Sequence, residues 1–172
     1  MKEIKLGRGT YAALVDDEDY EYLSQWTWMS SKKGNNIYVI RRQYVDERNS
    51  NGMKKTIKFS MHRVLLKVED KKQFIDHLDG NALNNQKSNL RLASMSQNNR
   101  NTRKAKNCSS QYKGVSWLPK FKKWKVDIYV NGKNKGLGLF KNEEDAGRAY
   151  DKMAKLHFGE FAWLNFKDDK SA

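Results

Sequence analysis

The sequence predicts an α+β fold in two halves. A small antiparallel β unit runs into a strand, loop, strand, helix segment, and a three-stranded antiparallel sheet covered by one helix follows. Three observations lead there. The first sixty residues alternate short apolar runs with turn formers. The stretch TRKAKNCSS (102–110) carries several charges and almost no large apolar residue, as a linker does. Beyond it, three strand-like runs precede one segment with helical spacing. The expected domains are therefore 1–101 and 111–168, joined by 102–110.

In chain order, TYAALV (10–15), NNIYVIRRQYV (35–45) and KKTIKFS (54–60) are rich in β-branched and aromatic residues and read as strands. A short helix is expected over 17–25 and another at MHRVLLK (61–67). The polar, Gly-containing DERNSNGMKK (46–55) reads as a hairpin loop. FIDHL (74–78) and NLRLA (89–93) are two apolar segments around a turn-rich loop, DGNALNNQKS (79–88). Ser94 followed by Gln97 fits a capping box, so a helix starts after Ser94 and carries Asn98. In the second half YKGVSW (112–117), KWKVDIYV (123–130) and GLGLF (136–140) are strands, with NGKNK (131–135) as a hairpin turn. Asn142 can cap the closing helix, Glu143, Glu144 and Asp145 suit its positive end, and Gly159 can end it.

The formal net charge is +14, from 34 Lys and Arg against 20 Asp and Glu, and it points to a polyanionic partner, nucleic acid first. The charge is uneven: residues 103–141 hold eleven basic side chains and one acid, Asp127. One basic face is expected, not a uniformly basic surface. A further DNA surface is expected around Arg41, Arg42 and 54–58. No apolar run approaches the roughly 20 residues of a spanning helix, and MKEIKLGRGT lacks the apolar core of a signal peptide. The expectation is a cytoplasmic protein with no membrane partner. With Cys108 alone, neither an internal disulfide nor a Cys-based zinc cluster can form. His62, His77 and His157 are too scattered for a histidine cage, so any metal is a hard cation held by oxygens.

Cutting a phosphodiester requires a base for the attacking water and positive charge on the phosphate and leaving oxygen. A neutral histidine can do the first, and Mg²⁺ held by a carboxylate and an amide or carbonyl the second. Asp76, His77 and Asn98 supply those groups. The segment resembles the HNH homing endonucleases with a ββα-metal site, found in phages and group I introns. The match lies in MHR (61–63), DHLDGN (76–81), NN (84–85), SNLRLAS (88–94) and QNNRN (97–101). The resemblance places the nuclease motif at about 61–101. It implies His77 as general base, Asp76 and Asn98 as ligands of one Mg²⁺ or Mn²⁺, and Asn89 as the residue that orients His77. It points to the subgroup with Asn in place of the last His and without structural zinc. Arg63, beside His62, and Arg91 are the phosphate-contact candidates of this half.

Basic residues interleaved with aromatics along strands suit a sheet that lies against nucleic acid. Alternation puts Trp124, Val126 and Ile128 on one face, the expected core, and Lys123, Lys125, Asp127 and Tyr129 on the other. The segment resembles the ethylene-response-factor type DNA-binding domain, through SSQYKGVSW, KWKVDIYVNGK, LGLF, EEDAGRAYD and LNF. That family inserts its sheet into the major groove. The resemblance therefore makes Lys113, Ser116, Lys120, Lys123, Lys125, Tyr129, Lys133 and Lys135 DNA-contact candidates. Several guanine-reading arginines of the plant members are Lys, Ser or Tyr here, and Lys lacks the bidentate fork, so guanine specificity is not carried over.

The two halves together suggest a metal-dependent endonuclease, acting as a monomer on double-stranded DNA in a bacterial or phage-infected cell. The alternative is a non-catalytic DNA-binding regulator that retains a nuclease fold. RNA binding is disfavoured because no RNA-recognition signature is present.

Overall fold

Two short strands, β1 (Lys2–Lys5) and β2 (Ala12–Val15), pair antiparallel, and helix α1 (Asp17–Ser24) follows with three acids in its first turn. Those acids suit the positive end of the helix. Next come β3 (Met29–Lys33), β4 (Asn36–Arg48) and β5 (Lys54–Ser60), which form one antiparallel sheet in the order β3, β4, β5. Helix α2 (Met61–Leu65) leads to a two-stranded sheet of β6 (Phe74–His77) and β7 (Leu90–Ala93). Helix α3 (Met95–Arg100) comes after it. The computed structural model describes residues 1–7, 9–48, 50, 52–102, 104 and 107–166. The chain divides into two compact units, Met1–Ser94 and Met95–Ala172, so α3 is counted with the second. Positions 103, 105 and 106 of the expected linker, and the expected domain end beyond 166, lie outside the described residues.

The first unit's core gathers Leu6, Ala13, Val15, Leu23, Trp28, Val39, Met61 and Leu90. Trp28 is fully buried and its indole N–H donates to Leu23 O at 2.8 Å, so its one polar atom is satisfied. The hairpin loop is shorter than the sequence suggests. β4 runs on to Arg48 and β5 begins at Lys54, with cross-strand ion pairs Lys54–Asp46 and Lys55–Glu47 where a loop was expected. Since β3 pairs only with residues 36–40 of β4, the remainder of β4 and β5 is a two-stranded ribbon.

In the second unit β8 (Val115–Leu118), β9 (Lys123–Val130) and β10 (Lys133–Phe140) form the three-stranded antiparallel sheet, with β9 central. Helix α4 (Glu143–Phe158) packs on it through Ala146, Tyr150, Ala154 and Phe158 against Val115, Val126, Ile128 and Val130. Its cap is the expected one: Asn142 accepts from Glu144 N–H at 2.8 Å. The hairpin turn is tighter than expected. Asn131 and Gly132 both have positive φ, 50° and 79°, as a two-residue turn requires, and Lys133 is already strand. Gly114, at φ +78°, lies so close to Tyr150 that an added Cβ would meet the ring at 2.1 Å. The expected linker's last residues belong to this unit: buried Ser110 donates to Glu143 Oε1 at 2.7 Å, and Trp117 N–H donates to Ser109 Oγ at 2.9 Å.

Candidate active site

β6 ends at His77 because the chain turns there: Gly80 N–H donates to His77 O at 2.8 Å, with Gly80 at φ +67°. Opposite residues of an antiparallel pair share a face. Asp76 stands opposite Arg91, and His77 opposite Leu90. Asp76 is 5% exposed, and Arg91 donates through Nε (2.9 Å) and Nη2 (2.7 Å) to its Oδ2. Arg91, expected to reach a phosphate, therefore pairs with the expected metal-ligating carboxylate.

His77 is 6% exposed and packs edge-to-face on His62, ring centroids 5.3 Å apart, with Tyr38 of β4 at 6.4 Å. Burial pushes the His77 imidazole down; Asp79, Asp76 and the Asn85 side chain oppose this without reversing it. His77 is thus neutral near pH 7, the form a general base needs. Burial, reinforced by His77 and Arg63, pushes His62 down to about 3. A neutral His62 has no proton to spare for a leaving group.

The loop after His77 is held by amides. Asn89 Nδ2 donates to Asp79 Oδ1 (3.0 Å) and Asn84 O (2.9 Å), while its Oδ1 accepts from Asp79 N–H (3.1 Å). Both Nδ2 protons are thereby used on Asp79 and Asn84, and the Asn89 carbonyl accepts from Leu78 N–H at 2.9 Å. Burial raises Asp79, but hydrogen bonds from Asn81 N–H, Asn84 and Asn89 outweigh it and hold the carboxyl below its ordinary range. The loop also docks on β2: Leu14 N–H donates to Leu83 O at 2.9 Å and Asn85 N–H to Leu14 O at 2.8 Å. These amides look like turn formers in the sequence; Asp79, Asn84 and Asn85 belong to the site's framework. Only their density in 79–89 signals it.

Among the described residues, no group of three His, Cys, Asp or Glu side chains forms a metal site. A cation beside Asp76 would draw on one carboxylate, neutral amides, and phosphate and water oxygens, a donor set that suits Mg²⁺. Asn98, the amide implied as second ligand, is on α3 in the second unit and half-buried. Arg63, the other phosphate candidate, donates to Gln73 O (2.9 Å) and Asp70 O (2.5 Å) and so braces the segment between α2 and β6.

In the second unit the face away from α4 carries Ser116, Lys123, Lys125 and Tyr129, the last 67% exposed. Lys125 pairs with Asp127 at 2.8 Å. Lys120 lies over the Phe121 ring. Three candidates differ from expectation. Lys133 and Lys135 stand opposite Val130 and Ile128, so the register puts them on the helix side, and Asn134, opposite Tyr129, takes the open face. Lys113 donates to Arg100 O (2.8 Å) and Thr102 O (2.7 Å), and burial pushes it down to about 8. It ties the end of α3 to its unit.

Residues 67–100 match the family model described as HNH endonuclease, a stretch that takes in Asp76, His77, Asn89 and Asn98. An uncharacterized HNH endonuclease of Acanthamoeba polyphaga mimivirus is 32% identical over 164 residues, covering 92% of this chain and 76% of the viral protein. Protein 3.8 of Escherichia phage T7 is 35% identical over 89 residues, covering 52% of this chain and 73% of its own.

Proposed function

The chain belongs to the HNH endonuclease family, and from that premise we propose that it is a metal-dependent endonuclease of homing type that hydrolyses phosphodiester bonds of double-stranded DNA. The observation that carries this reading is the buried, neutral His77 at the end of β6, next to a buried Asp76. His77 takes the proton of the attacking water, the water oxygen bonds to phosphorus, and the bond to the leaving oxygen breaks. Asp76 would supply the carboxylate that holds the divalent cation, Mg²⁺ or Mn²⁺. Bound there, it would stabilise charge on the phosphate and the leaving oxygen. Arg91 fixes the Asp76 carboxylate through two bonds to one oxygen.

The open face of the β8–β10 sheet is the proposed DNA-selecting surface. It is basic, aromatic at Tyr129, and backed by a packed helix, which suits a sheet laid against a duplex. The ribbon of β4 and β5 adds Arg42, Lys54, Lys55 and Lys58, all exposed. Arg41 is excluded from that role, since its guanidinium lies over Trp26 (4.6 Å) and Phe59 (4.1 Å). A cutting site that touches phosphates has little sequence preference of its own, and a tethered sheet raises its effective concentration at one region.

The test is cleavage of a mixed pool of duplex DNA with Mg²⁺ or Mn²⁺, comparing wild type with His77→Ala and an EDTA control. Metal-dependent breaks that vanish in His77→Ala support the endonuclease. Tight duplex binding without breaks in any pool supports the non-catalytic regulator instead.

A further inference from the structure

Strand β10 changes face part-way along its length. Up to Gly136 its register against β9 is unbroken: Lys133 stands opposite Val130, Asn134 opposite Tyr129, Lys135 opposite Ile128 and Gly136 opposite Asp127. A bulge follows, so that Gly138, and not Leu137, faces Val126. One extra residue in a strand moves the side chains after it to the other face of the sheet. In an unbroken ladder Leu139 would face Trp124 on the helix side; in the bulged strand it faces Lys125 on the open side. Gly138 permits the bulge with φ +123°, a conformation that L side chains rarely adopt. The nearest apolar residues of the strand, Leu137 and Phe140, both pack on the core that α4 covers, whereas Leu139 is 44% exposed.

The open face has a second leucine. Opposite residues of a pair share a face, so Leu118, opposite Lys123, lies there as Ser116 does opposite Lys125. The two leucines come from the two outer strands and flank the lysines of β9. Leu118 is half-buried, which leaves Leu139 as the one that reaches outward. A duplex offers such a face phosphates and base edges. Phosphates match the lysines and gain nothing from a leucine. Base edges are polar except at thymine, whose C5-methyl group lies in the major groove. We propose that Leu139, turned outward by the bulge, reads a thymine methyl group of the duplex held on the open face, beside the phosphate-neutralising Lys123 and Lys125. Leu139 is then a specificity-determining residue: it adds no charge and no hydrogen bond, and it favours thymine over cytosine at one position by withdrawing the methyl group from water. The inference rests on the reading of the open face as the DNA-selecting surface.

The experiment uses the full-length protein in EDTA, so that binding is read without cleavage. Bound duplexes are recovered from a random pool and sequenced. The best-bound duplex is then remade with deoxyuridine in place of one thymidine at a time, which deletes the methyl group and keeps the base pair. The recovered duplexes are expected to share a thymine position, and deoxyuridine there is expected to weaken binding about fourfold, the factor for one apolar carbon group withdrawn from water. In Leu139→Ala, thymidine and deoxyuridine are expected to bind alike at that position, with the salt dependence unchanged because no phosphate contact is lost. Leu139→Met, which keeps an apolar side chain of similar volume, is expected to keep the preference. A wild-type protein whose recovered duplexes share no thymine, or that binds thymidine and deoxyuridine equally at every position, overturns the inference without any variant, even if Leu139→Ala fails to fold. A folded Leu139→Ala that keeps the methyl preference overturns it as well. In those cases the duplex is still held and the DNA-selecting face survives; a protein that retains no duplex in EDTA sinks that reading and this inference with it.

Discussion

The loop and strand end around His77 and the open face of the β8–β10 sheet treat their polar groups in opposite ways. Around His77 the charged and amide groups are buried or half-buried and held by one another: Asp76 by Arg91, Asp79 by Asn84 and Asn89, the Asn85 nitrogen by two carbonyls. On the sheet, Tyr129 and Lys120 are exposed and Lys123 and Lys125 half-exposed, with one ion pair, Lys125–Asp127, between them. A reacting group must be held within a fraction of an ångström, which burial and hydrogen bonds achieve at the cost of desolvation. Phosphate neutralisation asks only for charge near the backbone, which a mobile lysine supplies. Substitutions should therefore act steeply and specifically in the first region, and weakly and additively in the second.

The largest effect is expected at His77. His77→Ala should lower metal-dependent cleavage by about 10²–10⁴-fold, the range for loss of a general base, while duplex affinity measured in EDTA stays within a factor of a few. Equal losses of binding and cutting would erase the contrast between the two regions. Next comes Arg91→Met. Asp76 and Arg91 are a buried pair, and removing one partner of such a pair destabilises by about 3–5 kcal/mol because the other charge is left uncompensated. The loss should appear in urea unfolding with EDTA, and millimolar Mg²⁺ should recover part of it, since a cation at Asp76 would supply the missing charge. A variant as stable as wild type in EDTA would mean that the ion pair does not hold the carboxylate.

The pH dependence of stability sharpens the same point. His62 is held at about 3 in the folded chain against an ordinary value near 6.5. Between those values the unfolded chain binds the proton and the folded chain does not, so stability rises with pH through the window and is lost as pH falls from 6.5 toward 3. The expected slope is at most about 1.4 kcal/mol per pH unit for such a histidine. His77, lowered in the same direction, adds to it. His62→Phe should flatten the profile of urea midpoints between pH 7 and pH 5; an unchanged profile would mean that His62 is not kept neutral by burial.

What the sequence disclosed, and what it withheld, follows the physics of each feature. The α+β class, the helix at Asp17, the Asn142 cap and the core face of Trp124, Val126 and Ile128 were legible because propensity, capping and alternation are local. The Asp76–His77 pair was legible as a motif. Its partners were not: that Arg91 faces Asp76 depends on the register of β6 against β7, which no local signal states. The same holds for Lys133 and Lys135, whose face is decided by their register against β9. Lys113 read as a DNA-contact candidate because nothing near it in sequence announces the two carbonyls it binds. Asn85 was hidden for a different reason: amides are good turn formers, and a buried amide whose nitrogen holds the loop reads in sequence like an exposed turn residue.

The smallest expected effect tests that register directly. Lys123→Ala with Lys125→Ala removes charge from the open face, and Lys133→Ala with Lys135→Ala removes the same charge from the helix side of the edge strand. Each phosphate that a lysine no longer neutralises flattens the plot of log affinity against log salt by about 0.9. The first pair should therefore lower the slope by roughly 1–2, with uniform weakening across sequences, and the second pair by clearly less. Because net charge falls equally in both, a difference between them measures which face meets the duplex and not how basic the protein is. Equal slopes would mean that the edge strand's lysines wrap onto the DNA, or that the duplex does not lie on the open face. Tyr129→Ala separates these outcomes: an exposed aromatic on the face that meets DNA loses affinity with little change in salt slope, and one away from it loses none.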